Sequence, residues 1–262
     1  MIVSAIQITS SSSLERNMEA VSTLVKEAAF GGARFIALPE YFSYYGPEET
    51  WADISRGGEE VIGAVSGLAA ELGVYILAGS VLLPSGVDGR CASVSVLLGP
   101  GGEEIARYRK TRLFDAQTAL RTYRESDWLA PGDSLAVAGV DQWTLGLSIC
   151  FELRFPDHFA VLRRMGAEII AVPAAFTYET GKDHWLTLLS ARAIETQCYI
   201  VAPALVGGED RNRRCFGATA IVDPWGRLLA AREEGDGVVT ATLDKNLVAG
   251  IRRAMPLGFD TL

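Results

Sequence analysis

The sequence predicts an α/β protein built of stacked sheets covered by helices. Short apolar runs of strand length recur along the chain, amphipathic helical patterns stand between some of them, and Gly/Pro punctuation separates the two. The 262 residues are 49% hydrophobic and 21% charged, an ordinary globular composition. That length is near the upper limit for one core, so a single domain over residues 1–262 is expected. The two halves are laid out weakly alike.

Residues 2–8 read as a strand. A helix over 12–30 follows, with Leu14, Met18, Val21, Leu24, Val25 and Ala28 on one side, ended by Gly31-Gly32. Residues 34–38 form a strand closed by Pro39 and Glu40. A helix over 59–72 ends at Gly73, and strands are expected at 74–83, 91–98 and 104–109. In the second half, 143–149 is a strand and 156–165 a helix opened by Pro156. A strand at 168–172, a helix at 184–197 and a strand at 198–204 come next. Residues 217–222, the turn Asp223-Pro224-Trp225-Gly226 and strands to Leu243 follow, and Asp244 caps a last helix over 247–254.

The formal net charge of −8 argues against nucleic acid or an anionic membrane surface as a partner. The one basic run, residues 211–214, reads as a solvated loop. No stretch reaches the ~20 apolar residues of a membrane span, and the N-terminal strand is no signal segment. Four widely spaced cysteines without a C-x-x-C pair give no zinc or redox motif, and a cytoplasmic location is expected. No metal or organic cofactor is implied.

Thr144 to Cys150 alternates, with Leu145, Leu147 and Ile149 on one side and Gly146, Ser148 and Cys150 on the other. Pro156 opens a helix just beyond. A cysteine at a strand-to-helix turn projects from a rigid edge, and the N–H of Phe151 after it can face a developing oxyanion. Taken alone, Cys150 also reads as a small buried hydrophobe. A thiol nucleophile needs a base. The only histidines are His158, whose neighbours Asp157 and Arg163 suggest an exposed helix face, and His184 at the start of a helix. Attention therefore turns to carboxylates. Glu40 ends a buried strand, where desolvation raises a carboxyl pKa towards the range of a working base. Lys110 ends the alternating strand before it. Singly, both also read as ordinary charged residues at strand ends.

Together, Leu38-Pro39-Glu40, the segment from Tyr108 to Asp115 and the segment from Leu145 to Pro156 resemble the three signature segments of the nitrilase, or carbon–nitrogen hydrolase, superfamily. The resemblance runs from Ile2 to about Met255. Arg124-Glu125-Ser126 with Pro131-Gly132-Asp133, residues 191–197 and Asp223-Pro224-Trp225-Gly226 agree with it. It implies a four-layer αββα sandwich that pairs through its helical faces as a homodimer or higher homo-oligomer. It also implies that Glu40 is the general base, Lys110 the cationic stabiliser and Cys150 the nucleophile, with Glu125 orienting the lysine.

Within the superfamily, the chain is similar to the branch of deaminated-glutathione and omega-amidases through residues 149–156, Ala174 to Thr177, Gly181, His184-Trp185 and residues 191–199. This implies a thiol amidase hydrolysing a non-peptide C–N bond of a small carboxylate-bearing amide to acid and ammonia. Arg154 would bind the substrate carboxylate, where a guanidinium fits in bidentate fashion. Phe176 and Thr180 match further pocket positions. Alternatives are pairing of Arg154 with Glu152 or Asp157, hydrolysis of an N-carbamoyl amino acid or amine, and a silent scaffold of the same fold. Three departures from the branch, at Arg90-Cys91, Leu205 and Gly217-Ala218-Thr219, bear on the pocket or a subunit edge.

Overall fold

The computed structural model describes residues 1–87, 89–119, 121–208 and 213–259. Arg211 and Asn212 of the basic run lie outside the described residues.

Strands β1 (Ile2–Gln7), β2 (Phe35–Ala37), β3 (Tyr75–Pro84), β4 (Cys91–Leu98) and β5 (Glu104–Arg109) form one six-stranded sheet with β16 (Gly237–Thr242). Its order is β16-β1-β2-β3-β4-β5. A small hairpin, β6 (Asp115–Gln117) and β7 (Thr122–Arg124), leads to the second sheet. That sheet comprises β8 (Val137–Val140), β9 (Trp143–Leu147), β10 (Ile169–Ala171), β11 (Tyr199–Ala202), β14 (Thr219–Val222) and β15 (Leu228–Arg232), in the order β15-β14-β11-β10-β9-β8. The ribbon β12 (Val206–Gly207) and β13 (Cys215–Phe216) stands beside it.

The half-to-half similarity of layout is real. From β16 to β5 the pairings run antiparallel, parallel, parallel, antiparallel, antiparallel. From β8 to β15 they run in the same sequence.

Alternation along the strands decides the layers. Val3 and Ala5, Phe35 and Ala37, and Leu77 face inward and share a core with Leu145, Leu147 and Ile169 of the second sheet. Ile6, Ile36 and Ile76 face outward, against Val21 and Val25 of helix α1 (Leu14–Phe30) and Val65 and Ala69 of helix α3 (Gly58–Leu72). On the far side, Phe159 and Leu162 of α5 (Pro156–Arg164) and Trp185 and Leu189 of α6 (Tyr178–Thr196) cover the second sheet. The result is the expected four-layer αββα sandwich. Short helices α2 (Trp51–Ile54) and α4 (Glu125–Trp128) lie in the connections, and α7 (Lys245–Ala254) closes the chain with Asp244 accepting from Asn246 N at 2.9 Å. Among the described residues no helix is long and apolar enough to cross a membrane.

Two expectations are corrected. Helix α6 begins at Tyr178 rather than at residue 184. Its first turns pack on the β12–β13 ribbon, where a Cβ at Gly181 would come within 2.4 Å of Phe216. This glycine serves close approach, although it weakens the local helical signal. His158 is buried rather than exposed, as is Arg163. Helix α5 turns these polar residues inward, His158 to within 3.7 Å of Glu152, so local charge was a poor guide to the face.

Candidate active site

The strand ends converge where the two sheets meet. Leaving β2, the backbone passes close over β3: a Cβ at Gly79 would lie 1.8 Å from Leu38 O, so only glycine admits the Leu38-Pro39 passage that presents Glu40. Tyr41 then turns the chain at φ 55°, and Cys150 turns it beyond β9 at φ 48°. Left-handed conformations at residues with side chains cost about 1–3 kcal/mol each and persist where the surroundings enforce them. At Cys150 the enforcement is visible. Its N–H donates to Pro173 O at 2.9 Å, and the 3₁₀ turn Cys150–Arg154 begins with Glu152 N donating to Ile149 O. Phe151 N–H takes no part in that turn's bonding.

Lys110 Nζ donates to Glu40 Oε1 at 2.8 Å and to Glu125 Oε2 and Oε1 at 2.8 and 3.0 Å. Lys110 and Glu40 are each 1% exposed. Tyr41 OH and Phe114 N hold the two oxygens of Glu125 at 3.0 and 2.7 Å, and Ala175 N holds Glu40 Oε2 at 2.9 Å. The Pro131-Gly132 segment completes the mount, since Gly132 N donates to Lys110 O at 2.8 Å.

The electrostatics follow from burial and three charges. Desolvation raises the Glu40 carboxyl pKa; Lys110 opposes the rise and Glu125 adds to it. Burial also pushes the Cys150 thiol well above its ordinary value, the Glu40 charge pushes the same way, and Lys110 opposes them. Burial would neutralise Lys110, but Glu125 and Glu40 together outweigh it and its pKa is raised. These directions favour a protonated thiol and an ammonium at rest, with Glu40 and Glu125 both bound to Lys110.

Arg154 stands beside this set with its guanidinium 4.9 Å from the Phe176 ring centre and Nη1 3.3 Å from His184 Nδ1. It pairs with neither Glu152 nor Asp157. Desolvation lowers its pKa, and the Cys150 charge opposes that. Phe176 is itself buried against Trp185. Two clefts open at Cys150 and share Phe114, Ala175 and Thr177. One, of about 220 Å³ with the space open to solvent included, adds Phe151, Arg154, Phe176 and Thr180; the other, of about 430 Å³ on the same basis, adds Glu40, Glu125 and Arg213. Thr180 Oγ1 is paired with Thr177 Oγ1 at 2.8 Å at the start of α6. Arg90, Cys91, Leu205, Gly217, Ala218 and Thr219 line neither cleft. Among the described residues, no group of three or more His, Cys, Asp and Glu is placed to hold a metal ion.

One site residue was not singled out from sequence. Glu152 is fully buried and draws together both halves of the site. Its Oε1 accepts from Tyr108 OH at 2.5 Å, Thr111 N at 2.7 Å and Thr111 Oγ1 at 2.8 Å; its Oε2 accepts from Ile149 N at 2.6 Å. The carboxylate joins the backbone just after Lys110 to the backbone just before Cys150. The available signal was an acid inside an otherwise apolar turn, which buries only when well bonded. Arg192 adds a second clamp, donating from Nε to Leu153 O at 2.9 Å.

This fold, with these strand ends, is that of a carbon–nitrogen hydrolase. The sequence matches the family described as Carbon-nitrogen hydrolase over residues 2–253, and the chain belongs to it: it is a hydrolase acting on amides. It is 38% identical to the deaminated glutathione amidase of Synechocystis sp., over 97% of this chain and 96% of that protein. The C. elegans NitFhit protein superposes with a TM-score of 0.92 at 29% identity, covering all of this chain, which spans 64% of NitFhit. Saccharomyces cerevisiae Nit3, a member of branch 10 of the nitrilase superfamily, shares the fold with a TM-score of 0.88 at 24% identity, over 98% of this chain and 94% of that one.

Proposed function

We propose that the protein is a thiol amidase for a small carboxylate-bearing amide, deaminated glutathione or an α-keto acid ω-amide, with Cys150 as nucleophile. The observation that carries this reading is Arg154: a half-buried guanidinium beside the thiol, with no carboxylate partner among the described residues. An anionic substrate supplies the missing charge. Phe176 stacks under the guanidinium and fixes its direction, while Thr180 shapes the wall of the same cleft.

In the reaction, Cys150 Sγ attacks the amide carbon as its proton passes to Glu40. The raised thiol pKa favours transfer concurrent with attack over a standing thiolate. Lys110 and the Phe151 N–H stabilise the oxyanion, a contribution of about 3 kcal/mol per donor in comparable sites. Glu40 returns the proton to the leaving nitrogen, and water activated by Glu40 then opens the thioester. Glu125 keeps Lys110 charged and aimed. A primary ω-amide releases ammonia, as expected from the sequence; the secondary amide of deaminated glutathione instead releases a peptide amine.

The chain acts as one domain over residues 1–262, because the site draws on both sheets. It forms a homodimer through the helical face of the second sheet, where Leu186, Ile194 and Trp225 are exposed. Its four free cysteines suit a reducing, cytoplasmic compartment. The test is product release from deaminated glutathione, ω-amides, N-carbamoyl amino acids and nitriles. Acid formation from the carboxylate-bearing amides, with KM raised selectively by Arg154→Ala, supports the reading. Turnover of carbamoyl compounds alone overturns it.

A further inference from the structure

Arginines elsewhere on this chain are aimed by acids: Arg34 by Asp141, and Arg107 by Glu59 and Glu104. Arg154 has no carboxylate partner among the described residues, yet its long side chain must be held if it is to meet a substrate. Two uncharged neighbours stand against it. The guanidinium carbon lies 4.9 Å from the centre of the Phe176 ring, and Nη1 lies 3.3 Å from Nδ1 of His184. The two contacts act differently. A ring face attracts a cation but leaves it free to turn and slide. A hydrogen bond is directional, so the imidazole nitrogen fixes which way the fork points.

His184 is exposed, but its place is set from below. Its chain neighbour Trp185 is fully buried, donates from Nε1 to Ala218 O at 2.8 Å and packs on Phe176 with ring centres 5.0 Å apart. Helix α6 also presents Thr180 to the smaller cleft, and His184 lies one helical turn further along the same face. The contacts close a circuit, in which Arg154 lies on Phe176, Phe176 on Trp185, and His184, beside Trp185, returns to Arg154. No carboxylate belongs to it. An acid in the place of His184 would aim the guanidinium equally well, but it would cancel the charge that an anionic substrate needs. Nδ1 accepts from Nη1 only as a bare nitrogen, which puts the ring proton on Nε2. The remaining N–H groups of the fork are left for two carboxylate oxygens.

We propose that His184 is a positioning residue: its bare Nδ1 aims Arg154 at the substrate carboxylate without neutralising it. This rests on the role proposed above for Arg154. His184 meets no reacting atom, so it governs affinity for the anion and leaves the bond-breaking steps to the groups around Cys150.

The test compares succinamic acid with succinamide, which differ only in a carboxylate against a carboxamide, by ammonia release counted per scissile amide. In the wild type, kcat/KM should favour succinamic acid by about tenfold or more, the scale of a charge-assisted bidentate contact, and Arg154→Ala should abolish the preference. His184→Leu should cut the preference by about three- to tenfold, the scale of one hydrogen bond, with the loss in KM for succinamic acid. His184→Asn carries an acceptor oxygen where Nδ1 stood and should keep the preference. His184→Asp should cut it at least as far as His184→Leu, because it aims the guanidinium but takes its charge. Each preference is a ratio within one variant, so it does not depend on how much of that variant folds. If Arg154→Ala abolishes the preference but His184→Leu leaves it intact, the proposal is overturned and the reading of Arg154 stands. Loss in His184→Asn equal to that in His184→Leu, or an undiminished preference in His184→Asp, also overturns it. A wild-type preference near one, or one that survives Arg154→Ala, overturns both. If neither amide is hydrolysed, protection of Cys150 from iodoacetamide by succinate decides. A higher half-protecting concentration in His184→Leu but not in His184→Asn supports the proposal, an unchanged one overturns it, and no protection in the wild type overturns both readings.

Discussion

The two halves of the sandwich share one pattern of strand pairing, and each delivers a side chain at a left-handed turn just beyond a parallel strand: Glu40-Tyr41 beyond β2 and Cys150 beyond β9. Their contents differ. The first half, continued into α4, carries the charged cluster of Glu40, Lys110 and Glu125. The second carries the thiol and the unpaired guanidinium of Arg154. The lesson is a division of labour across an interface. On the proposed mechanism neither half works alone, and Glu152 bonds to the backbone on both sides of the divide.

The largest expected effect breaks the second half. Cys150→Ala should lower kcat by on the order of 10⁴-fold or more, as loss of a nucleophile does elsewhere; retained product release in a folded variant would sink the covalent mechanism. Next comes the first half. Glu40→Gln should cost about 10²- to 10⁴-fold in kcat, the range of general acid–base catalysis, with a smaller change in KM. On the proposed mechanism activity requires ionised Glu40, whose pKa burial raises, so kcat/KM should climb with pH along a limb centred above 4.5, the ordinary carboxylate value. An acid limb centred at or below that value would remove Glu40 from the role.

The coupling between halves is sharpened by Glu152→Ala. Its loss leaves several buried donors unpaired and should destabilise the fold by about 3 kcal/mol or more, read as a lower urea midpoint at unchanged slope. Replacing Tyr41 by Phe should be the mildest change. It removes one of the donors to Glu125 and should lower kcat by about tenfold or less, on the scale of one hydrogen bond to a charged group. An effect as large as that of Glu40→Gln would move Tyr41 from support into the chemistry.

Much of this was legible beforehand. Strands such as β1, β3 and β4 announce themselves by apolar alternation, and Glu40, Lys110 and Cys150 stand at strand ends within long motifs. What was not legible has a common physical cause. The α6 start was hidden because Gly181 answers to Phe216, a partner distant in sequence. His158 and Arg163 looked solvated because their burial depends on where α5 lands, and the neighbouring charges did not reveal it. Arg213 read as part of a basic loop, and its place in the wall of the larger cleft follows from contacts with Gly46 and Tyr45.

By itself, then, the sequence determined the layers, the strand-end residues and the class of chemistry, because alternation, turn residues and motif register are local properties of the chain. Only the tertiary structure decided which charges are paired. Glu152 spanning both halves, and Arg154 and Arg213 each lacking a full complement of acids, are relations across tens of residues or more. Charge pairing depends on distance and desolvation, and both are fixed only once the sheets have stacked.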